Sequence, residues 1–272
     1  MNFNDAHNQT SGFRRTLKFY MTATSPCPYL EGERERKAFT SLAIDDADAV
    51  HNALSQSGFR RSQNIAYRPT CPSCNACRSI RVLARDFEFG KGDRRIVRRN
   101  TDLTAQPVKA DPSREQYRLL KKYLSARHPK GGMSDMSSRD YFSMVTDSPV
   151  QGMVIEYRLG NDPEAPLLAA AITDIMRDGL SMVYSFFDPD DASRSLGTYM
   201  ILDHIRRTAE LGLPHVYLGY WDENSPKMAY KRQFAPLEVL NGDQWELLDL
   251  SEQPDQPSLQ PVHKTPPLDQ QP

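Results

Sequence analysis

Residues 167–188 read LLAAAITDIMRDGLSMVYSFFD and decide how the second half of the chain is interpreted. Two apolar runs, 167–176 and 180–188, flank the turn residues Arg177, Asp178 and Gly179. Short apolar runs on either side of a glycine-containing turn are typical of buried strands that pair as a hairpin. The sequence therefore predicts an antiparallel hairpin inside a sheet.

Helix and strand patterns surround this hairpin in a fixed order. A helix is predicted from Asp111-Pro112 to about residue 126, and a second one opens at Ser137 or Ser138. The further predictions are a strand at 153–158, a helix ending near 211, a strand at 215–220, a helix at 225–234 and a strand at 245–250. Two helices, three antiparallel strands and then alternating helices and strands follow the order of the acetyltransferase-like (GNAT) α/β fold.

A helix start follows the hairpin at Arg194-Ser195-Leu196-Gly197. In the acetyltransferase-like order, the loop after the central strand meets a helix N-terminus that binds phosphate. Free backbone N–H groups and the helix dipole favour an anion there, so Arg194 and Gly197 are candidate binding residues. A plain structural turn is the alternative.

A second stretch, Arg60–Arg81, combines cysteines with arginines. Cys71, Cys74 and Cys77 lie at two-residue gaps, and Cys27 stands between two prolines far upstream. Four thiolates match a tetrahedral zinc site, and C-x-x-C-x-x-C also suits an iron–sulfur cluster. Buried free thiols without an obligatory metal are the third possibility.

Basic residues concentrate around the same stretch although the whole chain has a net charge of −1. Residues 78–99 carry eight basic and three acidic side chains. Arg60, Arg61 and Arg68 lie just upstream. This clustering favours a nucleic-acid surface over a merely solvated face.

The 272 residues divide into four predicted parts. Residues 1–14 are expected to be disordered, 15–108 to form a smaller α+β domain with the cysteines, 111–250 to form the acetyltransferase-like domain, and 251–272 to be a disordered proline-rich tail. No window approaches a membrane helix, and the N-terminus lacks the apolar region of a secretory signal. We therefore expect a cytoplasmic protein without membrane partners.

Four long segments resemble one protein family. They are PCPYL (26–30), GFRRSQNIAYRPTCPSCNACRSIRV (58–82), YSFFDPDDASRSLGTYMILDHI (184–205) and YLGYWDENSPKMAYKRQFAP (217–236). They resemble the aminoacyl-tRNA–protein transferases of the N-degron pathway, and the resemblance covers roughly residues 12–250. It implies transfer of an amino acid from aminoacyl-tRNA to a protein with an N-terminal Asp or Glu, which marks that protein for degradation.

The donor amino acid differs between branches of this family. Bacterial members transfer leucine from leucyl-tRNA, and eukaryotic relatives transfer arginine. The spacing of Cys71, Cys74 and Cys77 resembles the bacterial arrangement more closely. Arginyl-tRNA stays open as an alternative donor.

Aminolysis of an activated ester sets the needs of such a site, and the chemistry itself requires no cofactor. Cations that can bind an acidic side chain are Arg60, Arg61, Arg68, Lys227 and Lys231. Candidates for proton removal are Asp174, Asp188 and Tyr184. Tyr220 and Trp221 are candidates for stacking on the 3′ adenine. The cysteines then serve as a scaffold for the nearby arginines.

Two other functions remain open from the sequence alone. The fold order and Arg194-x-x-Gly197 also suit an acyl-CoA-dependent N-acetyltransferase, but Tyr199 stands where the usual loop has Gly or Ala. A non-catalytic RNA-binding protein would explain the basic run while leaving the C-terminal half without a role.

Overall fold

The computed structural model describes residues 16–129, 133–162 and 164–249. The first elements in chain order are β1 (Tyr20–Met21), β2 (Ser25–Pro26), β3 (Arg34–Glu35), β4 (Lys37–Ser41), α1 (Ala47–Gln56), β5 (Arg60–Ser62) and β6 (Ile65–Pro69). Strands β1, β4, β6 and β5 form a four-stranded sheet in that spatial order, and β2 pairs with β3. These elements make up a small N-terminal module.

The remaining elements build a second, larger sheet with helices on both faces. They are β7 (Arg78–Leu83), α2 (Lys91–Arg99), β8 (Leu103–Lys109), α3 (Arg114–Arg127), α4 (Ser138–Thr146), β9 (Gly152–Leu159), β10 (Leu167–Met176), β11 (Gly179–Phe187), α5 (Leu196–Glu210), β12 (His215–Trp221), β13 (Leu237–Asn241) and β14 (Gln244–Leu247). The eight strands follow the spatial order β14-β13-β7-β12-β11-β10-β9-β8.

The predicted hairpin is confirmed at the centre of this sheet. β10 and β11 pair antiparallel with Met176 opposite Gly179, and β9 pairs antiparallel with the other edge of β10. After α5 the chain returns as β12, which runs parallel to β11. The two strands approach closely at Gly179, where a Cβ atom would lie 1.9 Å from the carbonyl oxygen of His215. Glycine is therefore required at this crossing.

Side chains alternate between the two faces of the large sheet and pack into a separate core on each face. Val154, Ala170 and Ile172 pack under α3 and α4. Ile155, Tyr157 and Ala171 lie on the opposite face, which α5 covers and where Ile96 of α2 also packs. This period-two alternation with apolar residues on both faces explains why β9 and β10 read as nearly continuous apolar runs.

The mixed α/β class and the acetyltransferase-like order are confirmed by these elements, with local corrections. Strands β7 and β8 belong to the large sheet, so that sheet crosses the predicted boundary at residues 109–110. Ser113, not Asp111, caps α3 through a reciprocal hydrogen-bond pair with Gln116. Where the sequence predicts a helix at 225–234, the structure has a 3₁₀ helix over Ala229–Phe234. The strand predicted at 245–250 is β14, which pairs with the additional strand β13.

The predicted disordered ends, 1–14 and 251–272, lie outside the described residues. Within residues 16–129, 133–162 and 164–249, no helix is long and apolar enough to cross a membrane.

Candidate active site

The candidate site lies where two neighbouring strands separate. β11 and β12 pair only over Gly179–Ser181 and His215–Tyr217, and beyond that point a gap opens between them. Two adjoining clefts occupy this gap. The arginine cleft, about 550 Å³, is lined by Arg60, Tyr29, Tyr67 and Lys227. The helix cleft, about 480 Å³, is lined by Tyr184, Gly197 and Thr198. Both clefts share Tyr123, Phe187, Tyr230 and Lys231.

Arg60 is a buried cation on the wall of the arginine cleft. Its side chain donates one hydrogen bond, from Nη2 to the carbonyl oxygen of Met182 at 2.9 Å. Among the described residues, no carboxylate forms an ion pair with Arg60. Burial lowers the pKa of its guanidinium, but arginine keeps its charge at neutral pH. Buried charges are normally paired, so this guanidinium is prepared for an anionic group from outside the chain.

Gly219 lies beside that guanidinium. This residue has a φ of +84°, and a Cβ atom there would lie 3.6 Å from Nε of Arg60. The positive φ goes with an irregularity in the pairing of β12 with β7 between Tyr217 and Gly219. A side chain at this position would be strained and would narrow the cleft beside Arg60.

Lys231 stands at the junction of the two clefts. Its Nζ donates to the carbonyl oxygens of Leu218 at 2.8 Å and Tyr220 at 2.5 Å. Burial, and then the nearby Arg60, lower the pKa of Lys231 to about 7. Lys231 therefore releases its proton far more readily than an exposed lysine does.

The second predicted lysine, Lys227, lies at the rim of the arginine cleft. Its Nζ donates to the carbonyl oxygen of Pro28 at 3.0 Å. This bond ties the segment that carries Tyr29 to the chain ahead of the 3₁₀ helix. The sequence predicts an α-helix at 225–234, but the segment forms a turn and a 3₁₀ helix, and the two lysines donate to different parts of the chain.

Besides Lys231, the helix cleft contains two of the predicted residues, Gly197 and Tyr184. Burial raises the pKa of the Tyr184 hydroxyl, so this group stays protonated at neutral pH. The predicted role of Tyr184 in proton removal stays a prediction, and a protonated hydroxyl does not favour it.

Arg194 is held by the protein itself and lines neither cleft. Its guanidinium forms two 2.8 Å hydrogen bonds to Asp102 and one of 2.9 Å to Asp191. These carboxylates neutralise the charge that the prediction assigned to anion binding. Arg194 instead fixes the loop before α5 to the start of β8.

Asp174 and Arg61 also differ from their predicted roles. Arg61 donates to Asp174 from Nε at 2.8 Å and from Nη2 at 2.6 Å, and His51 lies 3.0 Å from the same carboxylate. The side chain of Asp174 is 1% exposed. This buried cluster joins α1 and β5 of the small module to β10. Arg61 borders the arginine cleft, but its charge is already balanced.

Asp188, the other predicted base, forms an ion pair at the surface. Its Oδ1 lies 2.6 Å from Nζ of Lys122, and the same carboxylate oxygen accepts the backbone N–H of Asp190. Asp188 thus stabilises a turn and binds Lys122, and it lines neither cleft.

The last three predicted residues, Arg68, Tyr220 and Trp221, lie in three different surroundings. Arg68 donates to the carbonyl oxygen of Ser57 and lines a separate cavity of about 350 Å³ together with the four cysteines. Tyr220 lies between that cavity and the arginine cleft, where its hydroxyl is 2.9 Å from the carbonyl oxygen of Tyr67. Trp221 is 2% exposed in the core and is not available for stacking.

The four cysteines line that cavity as free thiols. Burial, and then the nearby Cys27 and Asp222, raise the pKa of Cys77 to about 12. Across the described parts of the chain, no three His, Cys, Asp or Glu side chains converge closely enough to hold a metal ion. A zinc or iron–sulfur centre on these four cysteines therefore stays a prediction from the sequence.

The sequence interpretation did not include the tyrosines that enclose the clefts: Tyr29, Tyr67, Tyr123 and Tyr230. They come from four separate segments, and only tertiary structure brings them together. A weak signal existed for Tyr29, which follows the Pro26-Cys27-Pro28 turn that the cysteine pattern had already singled out.

Comparison with known proteins adds to this geometry. FemX, a solved structure, superposes with a TM-score of 0.49 at 9% identity, over 76% of this chain and 70% of that one. Family models described as arginine-tRNA-protein transferase, N terminus and C terminus, match residues 25–95 and 115–241. The aspartate/glutamate leucyltransferase of Hyphomonas neptunium is 61% identical over 91% of this chain and 98% of its own length. That of Parvibaculum lavamentivorans is 54% identical over 85% and 95%. The chain therefore belongs to the aminoacyl-tRNA–protein transferases, within the group of the aspartate/glutamate leucyltransferases.

Proposed function

We propose that this protein transfers leucine from leucyl-tRNA to the N-terminal Asp or Glu of other proteins, which creates a degradation signal. The names of its relatives support the reaction. The observation that carries the acceptor specificity is the unpaired, buried guanidinium of Arg60 in the arginine cleft. We include in the proposal a cytoplasmic location, where charged tRNA is available, and chemistry that needs no cofactor.

The arginine cleft suits an acidic N-terminal residue. A guanidinium binds a carboxylate through two parallel hydrogen bonds, and low solvent exposure strengthens that pair. Arg60 has donors to spare, since its side chain makes a single hydrogen bond within the described structure. An uncharged N-terminal residue would leave this buried charge unpaired, which penalises its binding.

The helix cleft suits the aminoacylated 3′ end of tRNA. Tyr123, Phe187 and Tyr230 offer aromatic faces for the terminal base. Met182, Val183 and Leu218 offer an apolar wall for the leucine side chain. Among the described residues that line this cleft none is acidic, so an arginyl side chain would find no carboxylate. This favours leucine over arginine as the transferred group.

The basic helix α2 leads towards the helix cleft. All five of its basic side chains are exposed: Lys91, Arg94, Arg95, Arg98 and Arg99. Ile96 of α2 packs in the same core cluster as α5 residues, and Arg99 donates to the carbonyl oxygen of Ser193 just before α5. An acceptor stem on α2 would have its phosphates neutralised while its 3′ end reaches the start of α5.

The test compares acceptor peptides in variants of Arg60. Arg60→Met should lower the kcat/KM for an Asp peptide by at least about tenfold, since a buried charge-assisted pair contributes about 1.5–3 kcal/mol. Arg60→Lys keeps a charge without the planar fork and should lie between Met and wild type. Labelled leucine transferred to the peptide is the readout.

Arg177→Met is the matched control, because Arg177 is exposed at the hairpin turn, away from the opening between the strands. It should transfer at the wild-type rate. If Arg60→Met still prefers Asp and Glu peptides over Ala peptides as strongly as wild type does, Arg60 does not bind the acidic side chain of the acceptor.

A further inference from the structure

Lys231 has a position that binding alone does not explain. Of the cationic residues in the described structure, it is the one that lines both the arginine cleft and the helix cleft. In the proposed reaction the acceptor amine arrives from the first cleft and the ester from the second. The nitrogen that attacks and the oxygen that leaves therefore meet beside Lys231.

We infer that Lys231 carries the proton that moves during the transfer. Its neutral amine takes a proton from the attacking α-amine as the new N–C bond forms. The resulting ammonium gives a proton to the 3′ oxygen of the tRNA as the C–O ester bond breaks. The amine loses one proton, the oxygen gains one, and Lys231 ends as it began. This inference rests on the proposed function.

The hydrogen bonds of Lys231 leave one site of its nitrogen for this task. A lysine nitrogen has three positions besides its carbon. Two N–H groups are committed to the carbonyl oxygens of Leu218 and Tyr220. The remaining position is a lone pair in the neutral amine and an N–H in the ammonium. One orientation thus serves both halves of the proton transfer.

The groups around Lys231 keep its two protonation states close in free energy. Arg60 on β5 opposes the ammonium, and Cys77 ahead of β7 acts weakly in the other direction. Tyr220 on β12, Tyr123 on α3 and Tyr230 within the 3₁₀ helix have raised pKa values because they are buried, and they stay neutral. A proton carrier works best when its pKa lies near the working pH, as the pKa of Lys231 does.

The other candidates for this role are already engaged. Asp174 is locked in its pair with Arg61, and Asp188 binds Lys122 at the surface. Tyr184 keeps its proton at neutral pH. Within the described structure, His128 lines only the arginine cleft, whereas Lys231 borders both clefts and so reaches the attacking and the leaving group.

The experiment measures single-turnover transfer from leucyl-tRNA to an Asp peptide, with both substrates saturating, in Lys231→Met and Lys231→Arg. Loss of a positioned proton carrier typically costs a factor of about 10² to 10⁴. We expect a drop of about a hundredfold or more in both variants, because arginine keeps the charge but cannot accept a proton. Affinity for leucyl-tRNA without peptide should stay within a few-fold of wild type, which also reports folding. Lys109→Met, an exposed residue at the end of β8, is the control and should be unchanged.

The pH profile separates proton transfer from a structural role. In wild type, transfer requires that two groups are neutral: Lys231 and the acceptor α-amine, whose pKa is near ~8. The rate should therefore fall about a hundredfold per pH unit in the acid limb, and about tenfold per unit in Lys231→Met, where only the amine titrates. The inference is overturned if Lys231→Met transfers leucine within a few-fold of the wild-type rate, or if its acid slope equals that of wild type. In that case the proposed function still holds as long as the wild-type protein labels Asp peptides. Wild-type protein that labels no peptide overturns both.

Discussion

Arg60 and Arg61 are neighbours in the sequence and differ in what balances their charges. Arg61 has an internal carboxylate, Asp174, whereas Arg60 has none among the described residues. Composition and spacing treat the two arginines alike. The difference depends on a strand more than a hundred positions later, so the sequence could nominate the pair but could not choose between them.

The buried cluster around Asp174 predicts a stability effect. Asp174→Asn leaves Arg61 buried without its full partner, and breaking such a pair costs about 3–5 kcal/mol. Urea unfolding should show this loss, while the transfer rate per folded molecule changes little. Asp188→Asn, at the surface, is the matched control and should cost about 1 kcal/mol or less. A variant of Asp174 with wild-type stability and no transfer would restore the catalytic role.

The lowered pKa of Asp178 predicts that the free energy of unfolding decreases in acid. Partial burial raises its pKa, but hydrogen bonds from His215, Tyr217 and Gln56 outweigh that effect and lower the pKa to about 2. The unfolded value is near ~3.9, so this carboxylate contributes about 2 kcal/mol above pH ~4 and loses it as the pH falls towards 2.

Unfolding of wild type and Asp178→Asn at several pH values checks this contribution. The variant should be less stable at pH 7, and the two proteins should converge between about pH 4 and pH 2. A difference in unfolding free energy that stays constant over this range would contradict the assignment.

At the scale of elements, periodic patterns were informative and short or irregular ones were not. The hairpin β10–β11 and helices α3 to α5 carry clear apolar periods, and their positions followed from the sequence. β8 was missed because Pro107 interrupts it. Proline is tolerated in a sheet mainly on edge strands, and β8 is indeed the edge of the large sheet.

The segment around the cysteines shows the same limit. The sequence patterns predict no strand there, yet β5 and β6 lie within it and pair with each other. Strands of three and five residues carry too few positions for a period-two pattern to emerge. Their pairing depends on β4, which precedes them by a full helix.

From the exposed arginines of α2 we predict that tRNA binding weakens with salt. Arg94, Arg95 and Arg98 changed together to Gln should weaken tRNA binding and reduce the slope of log Kd against log salt by about 2, because three phosphate contacts are lost. Filter binding over a salt series measures this. The same change at Arg114, Arg118 and Arg139, exposed on the helices of the opposite face, is the control. Equal effects of the two triples would show that α2 is not the docking surface.

At the scale of the whole molecule, the site depends on contacts that no local pattern encodes. Arg60, Met182, Gly219 and Lys231 meet because β11 and β12 diverge between the small module and α5. The family resemblance indicated the reaction, and the fold order indicated the sheet. The separation of the strands and the tyrosine lining required three-dimensional structure.

The measurement that tests the account most directly is transfer by the wild-type protein with two donors and three acceptors. Leucyl-tRNA and arginyl-tRNA, each labelled on the amino acid, are offered to peptides that begin with Asp, Glu or Ala and are otherwise identical. Because the helix cleft has an apolar wall and no acidic side chain among its described lining residues, and because Arg60 can bind a carboxylate, we expect leucine on the Asp and Glu peptides, little on the Ala peptide, and little arginine on any. Equal labelling of all three peptides, or preferred transfer of arginine, would contradict the account.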